Sequence, residues 1–148
     1  MKVVIQRVLS ASVNVSGSEI SAINRGFLVL LGVEKDDGIE DLDYLVNKTV
    51  DLRLFKDDNN NMNLSLKDVG GEALVVSQFT LCADTRKGRR PSFINAAPVE
   101  VADSVYQQYC EKLREENIFV QTGQFGAMME VALINDGPVT IVLDSRER

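Results

Sequence analysis

The residues that follow Met1 alternate between apolar and polar. In "KVVIQRVLSASVNV" the side chains Val3, Ile5 and Leu9 share one phase, and Arg7 falls in that same phase. A period of two with many valines predicts a strand. A turn at "SGSE" follows. "EISAI" then leads into "GFLVLLGV", residues 26–33, whose unbroken apolar run fits a strand buried on both faces. Over residues 39–54 the period changes. Ile39, Leu42, Val46 and Val50 fall at helical spacing, and Glu40, Asp41 and Asp43 crowd the first turn, where the helix dipole favours acids.

"RLFKDDNNNMNLSL" reads as strand, turn, strand. Its Asn and Asp residues tolerate positive φ, and it lacks the glycine and closing glutamate of a calcium loop. "ALVVSQFTL" is a second buried strand. A long loop over residues 82–97 precedes a helix opened by Pro98, with Val101, Val105, Tyr109 and Leu113 as its apolar face. "IFVQTGQF", "MMEVALIN" and "VTIVLD" read as three closing strands, separated by breaks at "FGA" and "NDGP". With no repeat and no low-complexity segment, residues 1–148 are expected to form one α+β domain. It would hold mixed, partly barrel-like β-sheets and two main helices.

Composition narrows the function classes. The chain has 148 residues, 45% hydrophobic and 26% charged, enough to bury a real core. A net charge of −6 argues against coating nucleic acid through bulk charge, though not against a local basic site. The longest apolar runs are too short to span a bilayer, and Met1 begins almost directly on a strand-like run. A soluble, cytoplasmic protein without a membrane partner is the expectation. Cys82 and Cys110 are the only cysteines and there is no histidine, so the thiols are read as free and buried. No metal and no cofactor is expected.

The missing histidine sharpens the reading of "SQFTL", residues 77–81. Ser77 or Thr80 would need a base to act as a nucleophile, and no Ser-x-x-Lys pattern starts at Ser77. A strand end with Phe79 in the core accounts for the segment equally well. What chemistry remains rests on backbone N–H groups that could form an oxyanion hole. In "RKGRR", Arg86, Lys87, Arg89 and Arg90 outnumber Asp84, which suits either a solvated loop or a phosphate-binding one. A buried Arg7 would need its donors satisfied, for instance by backbone carbonyls. "TGQFGAMM" fits a hairpin turn with core methionines. Gly137–Pro138 in "GPVT" resembles an ordinary turn, since X-Pro bonds are cis in only about 5–6% of cases.

Taken together, "MKVVIQRV", "SQFTL", "RKGRRPSF", "GQFGAMMEV" and "GPVT" stand in the order and spacing of the D-aminoacyl-tRNA deacylases, once called D-tyrosyl-tRNA deacylases. The resemblance covers essentially the whole chain. It implies an editing hydrolase that cleaves the ester joining a D-amino acid to the terminal adenosine of tRNA, and it implies a homodimer. Gly137 and Pro138 would form a cis peptide inserted into the other subunit's pocket, with Arg7 bracing it. Phe79 and Thr80 would supply backbone oxyanion donors beside Ser77 and Gln78, and Met129 would wall the pocket. Arg86, Lys87, Arg89 and Arg90 would meet the tRNA acceptor end. The family's tRNA-assisted mechanism, in which the adenosine 2′-OH helps the attacking water, suits a chain without a base. Two alternatives stay open on the residues alone. One is a general esterase using Thr80 as nucleophile. The other is a non-catalytic module that binds RNA ends.

Overall fold

The computed structural model describes residues 1–148. Its spine is β1 (Lys2–Val15), which has partners on both edges. Along one edge it pairs antiparallel with β8 (Glu130–Asp144), from Lys2 opposite Asp144 to Asn14 opposite Glu130. Along the other it pairs first with β3 (Gly26–Gly32) and then with β2 (Ser18–Ile23), both antiparallel. β6 (Glu72–Ser77) lies parallel to β3, and β7 (Phe119–Thr122) parallel to β6. Each parallel step needs a crossover, and two helices supply them: α1 (Ile39–Asp51) between β3 and β6, and α2 (Val99–Glu115) between β6 and β7. β2 curls back toward β6 and β7, which makes the mixed sheet nearly closed and barrel-like. β4 (Phe55–Lys56) and β5 (Met62–Leu64) form a separate hairpin. No helix is long and apolar enough to cross a membrane.

The sheet buries both faces. Val3, Ile5, Phe27, Val29, Leu31 and Val75 point to the helices, where Leu45 and Val46 of α1 and Tyr109 and Leu113 of α2 cover them. Val8, Ala11, Val13, Leu28, Leu74 and Val76 line the concave side. The buried phenols are satisfied: Tyr106 donates to the Val75 carbonyl at 2.8 Å, and Tyr109 shares a hydrogen bond with Thr49. The Met1 ammonium is buried beside Asp37 and Ser145, at 2.5 and 2.9 Å, and ties the start of β1 to the end of the chain. Both cysteines are buried and free.

Five sequence expectations need correction. "TGQFGAMM" is not a hairpin turn with core methionines: β7 pairs with β6 and β8 with β1, so the segment crosses between them, leaving Met128 exposed and Met129 half-buried. "MMEVALIN" and "VTIVLD" are not two strands. β8 runs through "NDGP", because β1 is long enough to template it on both sides of that segment. The excess is absorbed as a bulge. Gln6 faces Thr140 and Val8 faces Asn135, so residues 136–139 stand opposite Arg7 alone. That bulge and a second one at Val8 shift the phase of β1, so Leu9 is exposed rather than buried with Ile5. "SQFTL" is not a strand to its end. β6 stops at Ser77, and Phe79–Cys82 form a 3-10 turn that puts the Phe79 ring outside the core. In α2 the buried face is Tyr106, Tyr109, Cys110 and Leu113, while Val101 is exposed.

Candidate active site

β3, β6 and β7 run parallel, so their carboxyl ends open on one side. Such an edge is where crossover loops diverge and leave a crevice. A cavity of about 540 Å³ lies there, walled by Leu31, Val76, Ser77, Gln78, Phe79 and Met129 among others. None of its lining residues carries an ionisable side chain. The nearby Cys82 thiol is pushed up to about 11 by burial, with the charge of Glu34 adding to it, so it is no thiolate at neutral pH.

The turn that closes β6 shapes the polar part of this cavity. The Gln78 N–H still donates to the Leu31 carbonyl at 2.8 Å, which extends the β3–β6 ladder by one step. The turn's own bonds begin with Leu81 N–H to the Gln78 carbonyl and continue with Ala83 N–H to the Thr80 carbonyl. The N–H groups of Phe79 and Thr80 precede the first of these, so the turn makes no use of them. The Thr80 hydroxyl accepts from the Gln78 side chain and is exposed; it does not line the cavity.

The basic segment leaves the mouth of the cavity as a closed loop. Asp84 and Ser92 pair through two backbone bonds of 2.8 and 2.9 Å, and Gly88 turns the tip at φ +71°. Just beyond, Phe93 packs edge-on against Phe79 with ring centroids 5.0 Å apart. Arg86 differs from its neighbours: Asp84 holds it through two side-chain bonds of 2.9 and 2.6 Å. Those bonds hold the Asp84 carboxyl below its usual range. Lys87, Arg89 and Arg90 are exposed around the tip.

Gly137 and Pro138 lie elsewhere. They sit in the β8 bulge opposite Arg7, which pairs with Phe27 near the start of β3, whereas Leu31 near its end pairs with Ser77. Counted along β3 at about 3.3 Å per residue, the separation is on the order of 15 Å. Within one chain the motif and the cavity therefore face opposite ends of the parallel strands. The Gly137–Pro138 peptide is cis. Arg7 is buried beneath it. Its Nε donates to the Asp136 carbonyl at 3.0 Å and lies 3.2 Å from the Asp136 carboxylate, and one terminal nitrogen donates to the Leu54 carbonyl. Gly137 has φ +126°, and a Cβ there would stand 2.9 Å from the other terminal nitrogen of Arg7.

Ser77, Gln78, Phe79 and Met129 are thus brought together, Arg7, Gly137 and Pro138 form a second group, and the basic loop stands beside the first. Sequence reading missed Phe93, Ala96, Ala97 and Phe125 as parts of the cavity and its rim. Phe93 and Phe125 carried a signal, each an aromatic residue within one of the quoted motifs, "RKGRRPSF" and "GQFGAMMEV".

A family profile described as D-Tyr-tRNA(Tyr) deacylase matches residues 4–144. A "D-aminoacyl-tRNA deacylase" of Desulfatibacillum aliphaticivorans is 54% identical, covering 99% of this chain and 100% of that one. Its namesake in Clostridioides difficile is 55% identical, covering 98% and 97%. Among solved structures, one called "c-Myc DNA Unwinding Element Binding Protein" has a TM-score of 0.92 at 44% identity, covering 97% of this chain and 98% of that one. A probable eukaryotic D-amino acid tRNA deacylase has a TM-score of 0.80 at 19% identity, covering 96% and 97%, which is a likeness of fold.

Proposed function

The chain belongs to the D-Tyr-tRNA(Tyr) deacylase family, and from that membership we propose how it acts as a D-aminoacyl-tRNA deacylase. The observation that carries the mechanism is a cavity without ionisable side chains, edged by two N–H groups that the local turn does not use. The ester carbonyl of the substrate sits against the N–H groups of Phe79 and Thr80. These stabilise the oxyanion as water adds, while Ser77 and Gln78 shape the approach. The terminal adenosine 2′-OH orders the attacking water, so the substrate supplies the group that the protein lacks. The acyl C–O bond then breaks, the ribose oxygen takes up a proton, and free tRNA and the D-amino acid leave. The tip of the loop, Lys87, Arg89 and Arg90, meets acceptor-end phosphates, and Arg86 lends it less because Asp84 already holds it.

The active form is a homodimer in which Gly137 and Pro138 of one subunit enter the cavity of the other. The distance between motif and cavity within one chain supports this reading. Their carbonyl oxygens accept hydrogen bonds from the substrate α-ammonium, and their backbone, braced by Arg7, occupies the space an L side chain needs. Selection is by exclusion. Glycine has no side chain to exclude, so glycyl-tRNA is hydrolysed too.

Single-turnover hydrolysis of D-alanyl-, glycyl- and L-alanyl-tRNA tests the reading. D-alanyl-tRNA should be cleaved fastest, glycyl-tRNA measurably, and L-alanyl-tRNA almost not at all. Equal rates on the D and L forms would indicate a general esterase, and no hydrolysis would leave an RNA-end binding module. Glycyl-tRNA as resistant as L-alanyl-tRNA would refute selection by exclusion.

A further inference from the structure

A second cavity, of about 380 Å³, opens beside the β8 bulge and is lined by Arg7, Arg25, Lys56, Asp136, Gly137 and Pro138 among others. Its three cations are not equivalent. Arg7 is buried and committed to Asp136 and to the Leu54 carbonyl, which also matches the cavity's one acid. Arg25 and Lys56 are exposed, and neither takes part in an ion pair. Arg25 is held in place without being neutralised: its guanidinium lies over the Phe55 ring, Cζ 5.0 Å from the centroid. Stacking of that kind leaves the in-plane N–H donors available. Lys56 follows Phe55 directly on β4, so one short strand and the ring it carries set both cations at this cavity. Three cations against one acid leave a local charge of +2 in a chain of net −6.

An acidic protein that keeps two unmatched cations at one cavity is suited to bind an anion there. We propose that Arg25 and Lys56 form a phosphate-binding site that grips the backbone of the tRNA acceptor strand beside the partner subunit's catalytic cavity. This rests on the reading that Gly137 and Pro138 enter that cavity, because the two cations share a rim with the motif and travel with it. The acceptor strand is then held from two directions. The loop around Gly88 belongs to the subunit that supplies the catalytic turn, and Arg25 and Lys56 belong to the subunit that supplies the Gly-Pro wall. Productive binding of tRNA therefore needs both chains for affinity as well as for chirality.

The test compares D-aminoacyl-tRNA with the D-aminoacyl ester of adenosine, which has the same scissile bond and no phosphate. In Arg25→Gln/Lys56→Gln, the ratio of kcat/KM on the tRNA ester to that on the nucleoside ester should fall about tenfold, mostly through KM. The dependence of log KM on log salt should become shallower by about 0.7 for each phosphate that is no longer neutralised. Inorganic phosphate should compete weakly with the tRNA substrate in wild type, and less so in the variant. Lys56→Glu, at an exposed position outside the Phe55 stack, should lower the same ratio further through repulsion. If wild type hydrolyses D-aminoacyl-tRNA while both variants keep its ratio and salt slope, the phosphate site is overturned and the deacylase reading stands. If the two esters lose activity equally, these residues support the Gly-Pro wall instead, and the site is again overturned. Wild-type protein inert toward D-aminoacyl-tRNA would bring down the deacylase reading itself.

Discussion

The Thr80 hydroxyl has no basic side chain hydrogen-bonded to it. Its one side-chain partner is the Gln78 amide, and no histidine exists to replace it. Thr80→Ala removes the hydroxyl and keeps the N–H, so kcat should stay within about tenfold of wild type. A true nucleophile knockout costs on the order of a millionfold. Wild type acting on tRNA with a 2′-deoxy terminal adenosine should lose far more than this variant does. Full activity on the deoxy substrate, combined with a dead Thr80→Ala, would restore covalent catalysis. Gly137 is constrained differently. Its φ of +126° and the nearby Arg7 nitrogen leave no room for a methyl group. Gly137→Ala should cost about 1–3 kcal/mol of stability. It should also erode the D/L rate ratio, as should Arg7→Ala, which strips the Asp136 and Leu54 carbonyls of their donor. Urea midpoints and single-turnover rates on the D- and L-alanyl esters check both variants. An unchanged D/L ratio in both would mean that the wall lies elsewhere.

At the scale of the elements, two close fits decide what the sequence tolerates. β3 and β6 approach so nearly at Gly26 that a Cβ there would overlap the Glu72 carbonyl oxygen. That oxygen is backbone, so no rotamer relieves the clash. Gly26→Ala should cost more than about 3 kcal/mol, seen as a collapsed urea midpoint. A wild-type midpoint would show that the strands can part cheaply. The start of α1 is set by Asp41. Burial alone would raise its pKa, but bonds from the Gly38 N–H, Ser145 and Arg148 outweigh it and hold the carboxyl at about 2. A folded value below the ordinary 3.8 means the contribution is complete above that pH and is lost as pH falls toward about 2. Asp41→Asn should therefore be less stable than wild type at pH 6, by on the order of 1 kcal/mol after solvent screening. The two urea curves should converge near pH 2. Parallel curves down to that pH would place the acid-sensitive group elsewhere.

At the scale of the whole molecule, one chain leaves much unfinished. The outer edge of β8 has no strand partner, and Leu133, Ile134 and Val142 on it are exposed, as is Leu9 on the adjoining β1. A two-fold interface over this face would cover apolar surface and carry each Gly-Pro bulge toward a second chain. Sedimentation at micromolar concentration should give about twice the 16.4 kDa chain mass. A fully active monomer would refute the shared site.

What the sequence determined by itself was local period and chemical inventory. Alternation located β1, the unbroken run located β3, and the spacing of Leu42, Val46 and Val50 located α1, because burial on one side of a regular element leaves its period in the residues. The lack of histidine and the order of five short motifs were also legible, since neither depends on distance in space. Tertiary structure alone decided where the period breaks. Leu9 keeps the phase of Ile5 in the sequence and loses it in the fold, because a bulge is set by pairing with β8, more than a hundred residues away. The same pairing made one strand of what read as two, and it put Arg7 beneath Gly137. It also put the Gly-Pro bulge and the turn that closes β6 at opposite ends of β3. That separation depends on how β1 registers against β3 and β8 together, and a register between distant strands is written in no single stretch of the chain.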